Sequence, residues 1–548
     1  MSQPIVVDTE PLVADTAPET VATASAPEET SPDRKLAASI GKNTFFGVIS
    51  KLVQIGTRLI TIPIVIGHLG LGGYGIWAII MTAGAYMRFG SVGVKSAFQK
   101  YVAEATGNGD YESANKLLST GTAAMAILSV AGLIPIAFFS RRLAHMAGVP
   151  PEFLTSAAGA ISMLAVVMMI SNVGAAFEAI VMGVHRIDIA RKFTTIFAIA
   201  EAVVIVILLH LGFGLFAMAT AMGVSELAFI ACCYVTARKI APQIHVKRAY
   251  ISRTVLPELF RYAGSYQMVN MLEIVYGAVV PIALLRVFGA DSAGVFAIAG
   301  RLLGSAAMLP DSLLPSILSG GSKVFASSSI EEMRRLIAKA AKVTMAVTLL
   351  PISFIWVFGT LLLYAWTGTT NPLYQVALLL VGLTVFFGSL SLLGLVLYRV
   401  SGKALLDNIR QVLRIVSVLS VGLFAKHLGF AGVLSGLAGA ELVGMIFMGY
   451  ALSKTFEGFS VKAVARDFMK LATASAIVLA AGVVASYIPL PQLANPRLLA
   501  SLRLGLACLG CLVAAWPALY ITGTVTAGEK QVLLGMILPR RFRPAPNV

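Results

Sequence analysis

Long apolar stretches recur along the whole chain, separated by short polar gaps. Each stretch holds about 17–25 residues, the number that an α-helix needs to cross the hydrocarbon core of a bilayer. The pattern predicts an all-α, polytopic membrane protein of about 14 transmembrane helices, although two very tight turns, HLGFG and KHLGF, leave a total of about 12 or 13 open. The predicted spans lie near residues 45–67, 74–98, 119–139, 155–181, 194–211, 213–237, 262–287, 293–318, 343–365, 374–398, 411–427, 430–453, 470–488 and 500–522.

The composition supports a membrane protein and argues against a nucleic-acid partner. Of the 548 residues, 57% are hydrophobic and only 12% are charged, and the mean hydropathy is +0.85. Soluble chains average roughly a quarter of charged residues. The formal net charge is +16, but Lys and Arg lie in the polar gaps rather than on one basic face among aromatic residues, as nucleic-acid binding would require.

The distribution of basic residues predicts the orientation in the membrane. If the N-terminus is cytoplasmic, inward segments hold roughly 30 of the 42 Lys and Arg residues and outward segments roughly 6. Both termini are therefore predicted to be cytoplasmic. Residues 1–40 have the composition of a disordered tail. Basic and apolar residues alternate at helical spacing from Ala249 to Gly264, which predicts an amphipathic interfacial linker at about residues 246–261.

A weak internal repeat divides the chain into two halves. Residues 63–79 read PIVIGHLGLGGYGIWAI, and residues 281–298 read PIALLRVFGADSAGVFAI. The copies are six spans apart, so they share one orientation, and two lobes are expected around an axis along the membrane normal. Pro63 and Pro281 are expected to bend their helices. The predicted units are a six-helix lobe at 41–245, a second at 262–455, two further helices at 456–522 and a cytoplasmic tail at 523–548.

Two segments of the chain resemble a known family. The segments LGLGGYGIWAIIMTAGAYMRFGSVGV and GNGDYESANKLL are similar to the polysaccharide-transporter branch of the multidrug/oligosaccharidyl-lipid/polysaccharide exporter superfamily. The two-lobed repeat agrees over roughly residues 40–455, and the last two spans match the fourteen-helix members, which include lipid II flippases. The resemblance implies alternating access around a central cavity lined largely by the first, second, seventh and eighth spans.

The resemblance also implies a function. It indicates a flippase that moves a polyprenyl-pyrophosphate-linked oligosaccharide, such as a polysaccharide or O-antigen repeat unit, across the bacterial cytoplasmic membrane. The expected partners are this substrate and membrane lipids, with the polysaccharide polymerase and export machinery as further candidates. The sequence contains no GxxxxGK followed by Ser or Thr and no HExxH, GxSxG or EF-hand pattern, so it predicts neither an enzyme nor a cofactor or metal site.

Charged residues inside predicted spans are candidates for the cavity lining, because a charge at mid-bilayer costs at least about 2.5–3.5 kcal/mol. Lys51, Gln54 and Arg58 share one face of the first span, and Arg88 and Lys95 share one face of the second. Arg58 and Arg88 lie nearest mid-membrane, where guanidinium forks suit pyrophosphate oxygens. The lysines lie closer to the cytoplasm and are expected to attract the anionic head group first.

The seventh and eighth spans supply further candidates. Tyr266, Asn270 and Glu273 form a polar stripe on the seventh span, and the eighth carries Arg301 and Asp311. Arg301 is assigned to pyrophosphate binding, Tyr266 and Asn270 to the polar lining, and the two acids to ion coupling. Asp311 lies about 80° away from the Arg301 face of the helix, which weakens its assignment.

Structural alternatives stay open for most of these residues. Lys51 and Lys95 could snorkel to the inner interface, Arg58 and Arg88 could form structural salt bridges, and Glu273 could pair with either arginine. The remaining intramembrane acids are interpreted as inter-helix hydrogen-bonding groups or loop-edge residues. These are Glu178, Glu201, Glu226 and Glu441.

Two other functions compete with the flippase. An ion-coupled exporter of small cationic compounds, in the same superfamily, needs an acidic or aromatic cavity, whereas the expected lining carries more Lys and Arg than Asp and Glu. A membrane-embedded glycan polymerase or ligase would need a long outward loop, and no predicted loop exceeds about 25 residues.

Overall fold

The computed structural model describes residues 32–87, 91–184, 186–326, 330–400, 405–455, 461–491 and 494–524. Within these ranges the chain forms α-helices and two short 3-10 helices, without any β-strand. The α-helices are α1 (Pro32–Met87), α2 (Ser91–Asn108), α3 (Tyr111–Phe138), α4 (Ser140–Ala147), α5 (Pro151–Gly183), α6 (Ile187–His210), α7 (Leu215–Ile240), α8 (Leu256–Phe288), α9 (Ala290–Ala326), α10 (Ile330–Thr367), α11 (Tyr374–Val400), α12 (Leu405–Leu423), α13 (Ala425–Thr455), α14 (Val461–Ser486) and α15 (Pro496–Ile521).

The all-α, polytopic class predicted from the hydropathy pattern is confirmed. Each predicted span overlaps one of these helices, and among the residues searched 10 helices are long and apolar enough to cross a membrane. The short helix α4 is the α-helix among the described residues that lies wholly outside the predicted spans. Helix α1 begins at Pro32, inside the segment predicted as a tail, while residues 1–31 and 525–548 lie outside the described residues.

Three turns on the predicted outer side share one unusual glycine conformation. Gly70 interrupts α1 with φ 71° and ψ 172°, Gly289 joins α8 to α9 with φ 85° and ψ 176°, and Gly429 interrupts α13 with φ 69° and ψ 174°. This region is open essentially only to glycine. The chain therefore reverses direction at these glycines. Pro63 and Pro281 lie inside helical segments, and a bend of the helix at either proline stays a prediction.

The helices pack as two similar groups, a first group of α1–α7 and a second group of α8–α13, followed by the pair α14 and α15. In the first group α5 packs against α7 and α6 against α7, and in the second group α11 packs against α13 and α12 against α13 in the same way. The groups meet where α1 packs against α8 and α9. Helices α14 and α15 pack against each other and against α10. One continuous apolar core runs through both groups, as expected of helices that interdigitate tightly.

The segment between the two groups differs from the prediction. It is extended from Ala241, contains 3-10 turns at Arg248–Tyr250 and Arg253–Val255, and becomes α-helical only at Leu256. Three buried side chains of α3 bind its backbone: Asn115 contacts Gln243 O and His245 N, Ser119 contacts His245 O and Lys247 N, and Thr120 contacts Ser252 O and N. These hydrogen bonds replace the local bonds of the predicted amphipathic helix, so the segment is docked on α3 instead.

Candidate transport cavity

A cavity of about 1160 Å³ lies between the two helix groups. Its walls come from α1, α2, α5, α6 and α7 on one side and from α8, α9 and the end of α10 on the other. The resemblance implied a lining by the first, second, seventh and eighth spans. The structure adds a wall built by α5, α6 and α7.

Helices α1 and α9 meet through glycine contacts on the predicted outer side. A Cβ atom on Gly75 would lie 2.8 Å from Gly294 Cα and from Ala290 O, and a Cβ on Gly294 would lie 2.8 Å from the carbonyl carbon of Leu71. No side chain fits at either place, because real Cβ atoms essentially never approach so closely. The two backbones therefore touch on the predicted outer side.

Arg58 and Arg301 face the cavity from opposite groups. Arg58 lies on α1 and Arg301 on α9, both side chains are exposed to the cavity, and each interacts electrostatically with the other. Glu201 on α6 also acts on Arg58. Neither arginine forms a salt bridge with an acid among the described residues. Two guanidinium groups that repel one another at one site form an arrangement that an anion would stabilise.

Lys95 lies in the cavity wall, but an acid already binds it. Its ammonium group donates to Glu178 on α5 in a short ion pair. This pairing differs from both expectations from the sequence, an interfacial snorkelling lysine and a free head-group contact. Gln54 also lines the cavity, and its Nε2 donates to Ser50 Oγ at 3.2 Å.

The acids of the first helix group line the cavity, a location that the sequence did not indicate. Glu178, Glu201 and Glu226 were interpreted as inter-helix or loop-edge groups, and all three are cavity-lining residues. Glu178 also joins α5 to α2 as interpreted, through its ion pair with Lys95. Among the described lining residues the acids balance the bases Arg58, Lys95 and Arg301, so the expected excess of positive charge is wrong for this part of the lining. Their positions on the fourth, fifth and sixth predicted spans gave no signal of this, because the rotation of a helix relative to a cavity follows only from the packing.

A tryptophan connects the second group to α1 at the cavity wall. Trp366, at the end of α10, donates its indole N–H to Leu59 O at 2.6 Å. This carbonyl lies four residues before Pro63, which has no N–H to bind it within the helix. The backbone carbonyl of Trp366 in turn accepts from Arg497 Nη2 of α15 at 3.0 Å. The proline therefore frees an acceptor that joins the two groups.

Solved structures of a lipid II flippase and of multidrug resistance transporters share this architecture. The lipid II flippase MurJ in an inward closed conformation aligns over 87% of this chain and 98% of its own, with a TM-score of 0.64 and 15% identity. An inward-facing multidrug resistance MATE family transporter of the MOP superfamily aligns over 75% and 96%, with a TM-score of 0.59 and 17% identity. An outward-facing structure of such a transporter aligns over 76% and 97%, with a TM-score of 0.53 and 16% identity.

The chain has the fold of the MOP-superfamily transporters. No protein-family model and no curated protein sequence matches it. At such low identity the likeness concerns the architecture alone, which in the MOP-superfamily fold is two helix groups around a central space.

The second helix group of this MOP-superfamily fold contains a buried charge network. Arg414 on α12 donates to Glu273 Oε1 at 3.0 Å and forms a short ion pair with Glu441 on α13. Tyr276 donates its hydroxyl to Glu441 at 2.7 Å, and the Arg414 guanidinium lies 4.2 Å from the centre of the Tyr276 ring. Gln411 completes the cluster by donating to Glu273.

This network corrects the expected partner of Glu273. The carboxylate binds Arg414, whereas the sequence suggested Arg58 or Arg88, and Glu273 is not among the cavity-lining residues. Glu441 joins helices as expected. Sequence reasoning missed Arg410 and Arg414 although they lie four residues apart at the start of a predicted span, the spacing that should have marked a polar face. Arg410 is buried against Asp407 at 2.9 Å.

Several predicted site residues lie outside the described part of the molecule. Arg88 falls in one of the gaps, and only the backbone is described at Lys51, Tyr266, Asn270 and Asp311. Their roles stay predictions. The four cysteines carry free thiols. Among the residues searched, His, Cys, Asp and Glu form no group of three that could hold a metal ion.

Proposed function

We propose that this protein is a flippase for a polyprenyl-pyrophosphate-linked oligosaccharide, such as a polysaccharide or O-antigen repeat unit, in the bacterial cytoplasmic membrane. The observation that carries the proposal is the pair of guanidinium groups, Arg58 and Arg301, which face one cavity from two helix groups. A pyrophosphate offers both of them acceptor oxygens in pairs, which neither neutral drugs nor cations can do.

The size of the cavity supports a large polar cargo. Its volume of about 1160 Å³ exceeds the range of about 300–1,000 Å³ typical of sites for small molecules. Hydroxyl-binding groups are present, because Glu226, Ser225 and Thr194 lie on the α6–α7 wall. The prenyl tail would stay in the lipid while the pyrophosphate and sugars occupy the space between the groups.

Transport would proceed by separation of the outer contact. Gly75 and Gly294 are in contact on the predicted outer side, so cargo would enter from the cytoplasmic side. Lys51 is proposed to attract it there, and Arg88, nearer mid-membrane, to bind the pyrophosphate. Binding of pyrophosphate would remove the repulsion between Arg58 and Arg301. The two groups would then rock and release the head group outward, without any catalytic step.

Ion coupling is proposed for the second helix group. Glu273 and Glu441 share one guanidinium, so the cluster holds one carboxylate more than it has cations among its described members. Protonation of Glu273, whose side chain is 42% exposed, would release it from Arg414 and free α8 from α12. Asp311 on α9 is kept as a second proposed coupling acid on its sequence position.

One observation favours a second candidate, an exporter of small cationic compounds. The α5–α7 wall carries Glu178, Glu201 and Glu226 together with Phe197 and Phe229, and acids beside aromatic faces suit a cationic ligand. In this reading Arg58 would be a structural group that balances Glu201.

A flipping assay separates the two candidates. The full-length protein is reconstituted in liposomes with a fluorescent polyprenyl-pyrophosphate oligosaccharide, and protection from an added quencher reports its leaflet. Arg58→Ala and Arg301→Ala should each slow flipping at least tenfold, which corresponds to about 1.4 kcal/mol. Arg191→Ala, which removes an exposed cytoplasmic arginine of α6, is the matched control. Unchanged flipping in both cavity variants, or uptake of a cationic dye that Glu226→Gln abolishes, would reject the flippase.

Three assignments follow from the proposed function. The protein would be a multi-pass protein of the inner membrane, its partners would be lipid-linked oligosaccharide and membrane lipids, and the polysaccharide polymerase and export machinery would take up the released product. Co-purification from membranes that carry each candidate partner would test the last assignment.

A further inference from the structure

The short helix α4 carries an unusual charge for its side of the membrane. It follows α3 at the predicted outer surface, where positively charged residues are rare in membrane proteins. Arg141, Arg142 and His145 nevertheless lie within five positions, and all three are exposed. None of their side chains forms a hydrogen bond or ion pair with another described residue. Three basic groups are therefore held together without a protein partner.

The helix has three faces with different environments. Ser140 and Ala144 are buried and fix α4 to the protein. At 100° per residue, Arg141, His145 and Arg142 follow one another on a second face, and Met146 and Leu143 form a third. Met146 is 61% exposed. A helix with a basic face beside an exposed apolar face matches the elements that lie in the membrane interface.

A shallow groove joins the basic face to aromatic residues. It is lined by Phe138, Phe139, Arg141, Arg142, His145 and Leu154. Phe138 is 81% exposed and packs edge-on against Phe139, with ring centres 5.1 Å apart. A phospholipid whose phosphate binds the arginines would place its acyl chains against these rings, because apolar side chains such as Phe lie at the boundary between head groups and acyl chains.

The position of α4 connects the groove to the second helix group. Gly148 ends α4 with φ 85°, and a Cβ there would lie 2.9 Å from Arg286 Cα on α8. The end of α4 is therefore in backbone contact with the last turn of α8. A molecule bound on α4 would sit beside the seam that must change when the two groups move.

We propose that α4 is a docking site for an anionic phospholipid of the outer leaflet, with the lipid phosphate bound by Arg141, Arg142 and His145. Guanidinium groups bind phosphate in pairs of hydrogen bonds. The phosphodiester of a phosphatidylglycerol headgroup fits two adjacent guanidinium groups and an imidazole that have no acid partner among the described residues, and the acyl chains of the lipid fit Phe138, Phe139 and Met146. The cargo cavity plays no part in this site, so the inference does not depend on the proposed function.

Site-specific photocrosslinking tests the proposal in the full-length protein. A benzoylphenylalanine replaces Phe139 in nanodiscs of equal parts phosphatidylglycerol and phosphatidylcholine, and mass spectrometry identifies the captured lipid. A second probe at Leu128, an exposed mid-span position of α3, is the position control. Phosphatidylglycerol should dominate at residue 139 and match the mixing ratio at residue 128.

Charge variants then assign the preference to the arginines. The ratio of captured phosphatidylglycerol to phosphatidylcholine should fall about fivefold for each arginine removed in Arg141→Gln and in Arg141→Gln/Arg142→Gln. Arg248→Gln/Arg253→Gln, which removes two exposed cytoplasmic charges, should leave it unchanged. If the α4 variants do not fold, the unsubstituted protein still tests the idea, because 0.5 M salt should erase an electrostatic preference.

Several outcomes would overturn the site. One is that the probe at residue 139 captures phosphatidylglycerol and phosphatidylcholine in the ratio in which they were mixed. Another is that the preference for phosphatidylglycerol persists in Arg141→Gln/Arg142→Gln or in 0.5 M salt. A third is loss of the preference in the cytoplasmic variant. With polyprenyl phosphate added in equal amount, capture of that lipid instead of phosphatidylglycerol would reject the proposed occupant.

Discussion

Gly75 and Gly294, which hold equivalent places in the two copies of the internal repeat, lie in direct backbone contact across the interface between the two helix groups. A Cβ on Gly75 would lie 2.8 Å from Gly294 Cα. The repeat Gly75-Ile76-Trp77-Ala78-Ile79 against Gly294-Val295-Phe296-Ala297-Ile298 thus marks the point where the two halves meet, as expected for copies related by an axis along the membrane normal.

Gly75→Ala should therefore open the outer side. The added methyl group cannot be accommodated without separating α1 from α9, and overpacking of this kind costs about 1–3 kcal/mol. That corresponds to a shift of about 5–150-fold towards outward-open molecules. Gly67→Ala on the same helix is the control, since a Cβ at Gly67 meets nothing within 4 Å.

Distances between spin labels on the two outer surfaces would measure the shift. Labels at Glu152 and Thr370, in a background in which the native cysteines are replaced, report the separation of the first and second groups. A longer distance is expected in Gly75→Ala and not in Gly67→Ala. Equal distributions in the two variants would mean that the glycine contact does not hold the outer side closed.

The Trp366–Leu59 hydrogen bond should also hold α10 to α1. Trp366→Phe keeps an aromatic ring but removes the N–H, which typically costs about 0.5–1.5 kcal/mol. The matched control is Trp356→Phe on the same helix, because Trp356 Nε1 has no hydrogen-bond partner among the described residues. The spin-label distance is expected to lengthen in the first variant alone.

Pro63→Ala tests whether the hydrogen bond from Trp366 depends on the Leu59 carbonyl that the proline leaves without a partner in the helix. Alanine restores an N–H that can bind Leu59 O within the helix, so the indole N–H meets competition. In a double-mutant cycle Trp366→Phe should then have a smaller effect than in the Pro63 background. Full additivity of the two substitutions would show that the proline and the tryptophan act independently.

The sequence was informative where a single continuous segment determines the local structure. It was uninformative where contacts between helices distant in sequence determine it. A run of about 20 apolar residues has one stable form in lipid, a spanning helix, which is why each predicted span overlaps a helix. The repeat likewise located Gly75 and Gly294. In contrast, the pairing of Lys95 with Glu178 depends on α2 and α5 being neighbours and on the rotation of each helix.

The docked linker illustrates the same limit for local structure. Its residues have helical spacing, yet Asn115, Ser119 and Thr120 are buried on α3 and need partners. The backbone of the linker supplies these hydrogen-bond partners and is extended instead of helical. These polar residues lie in the N-terminal part of α3, about 130 positions away in sequence, and carried no signal that they would act on this segment.

Arg414 should be a major determinant of stability in the second helix group. Its side chain is 7% exposed and that of Glu441 is 5% exposed, and removing one partner of a buried pair costs about 3–5 kcal/mol because the other charge is left without compensation. Arg414→Gln should therefore lower the thermal unfolding temperature in detergent by many degrees. Arg414→Gln/Glu441→Gln should recover part of the loss, and Arg248→Gln should cause none. A neutral single variant would mean that Glu441 is compensated by another group.

The linker should become protease-sensitive when its side-chain partners on α3 are removed. Asn115→Ala deletes one bond to Gln243 O and one to His245 N, and leaving these backbone groups unpaired costs about 1–3 kcal/mol for each. The docked state would then open at least tenfold more often, and trypsin would cut faster after Lys247 and Arg248, which are already exposed as side chains. Asn371→Ala, which disturbs only a turn on the opposite side of the membrane, is the control. Cleavage rates that match in the two variants would show that the extended linker is held by something other than α3, and the explanation given for its departure from a helix would fail with it.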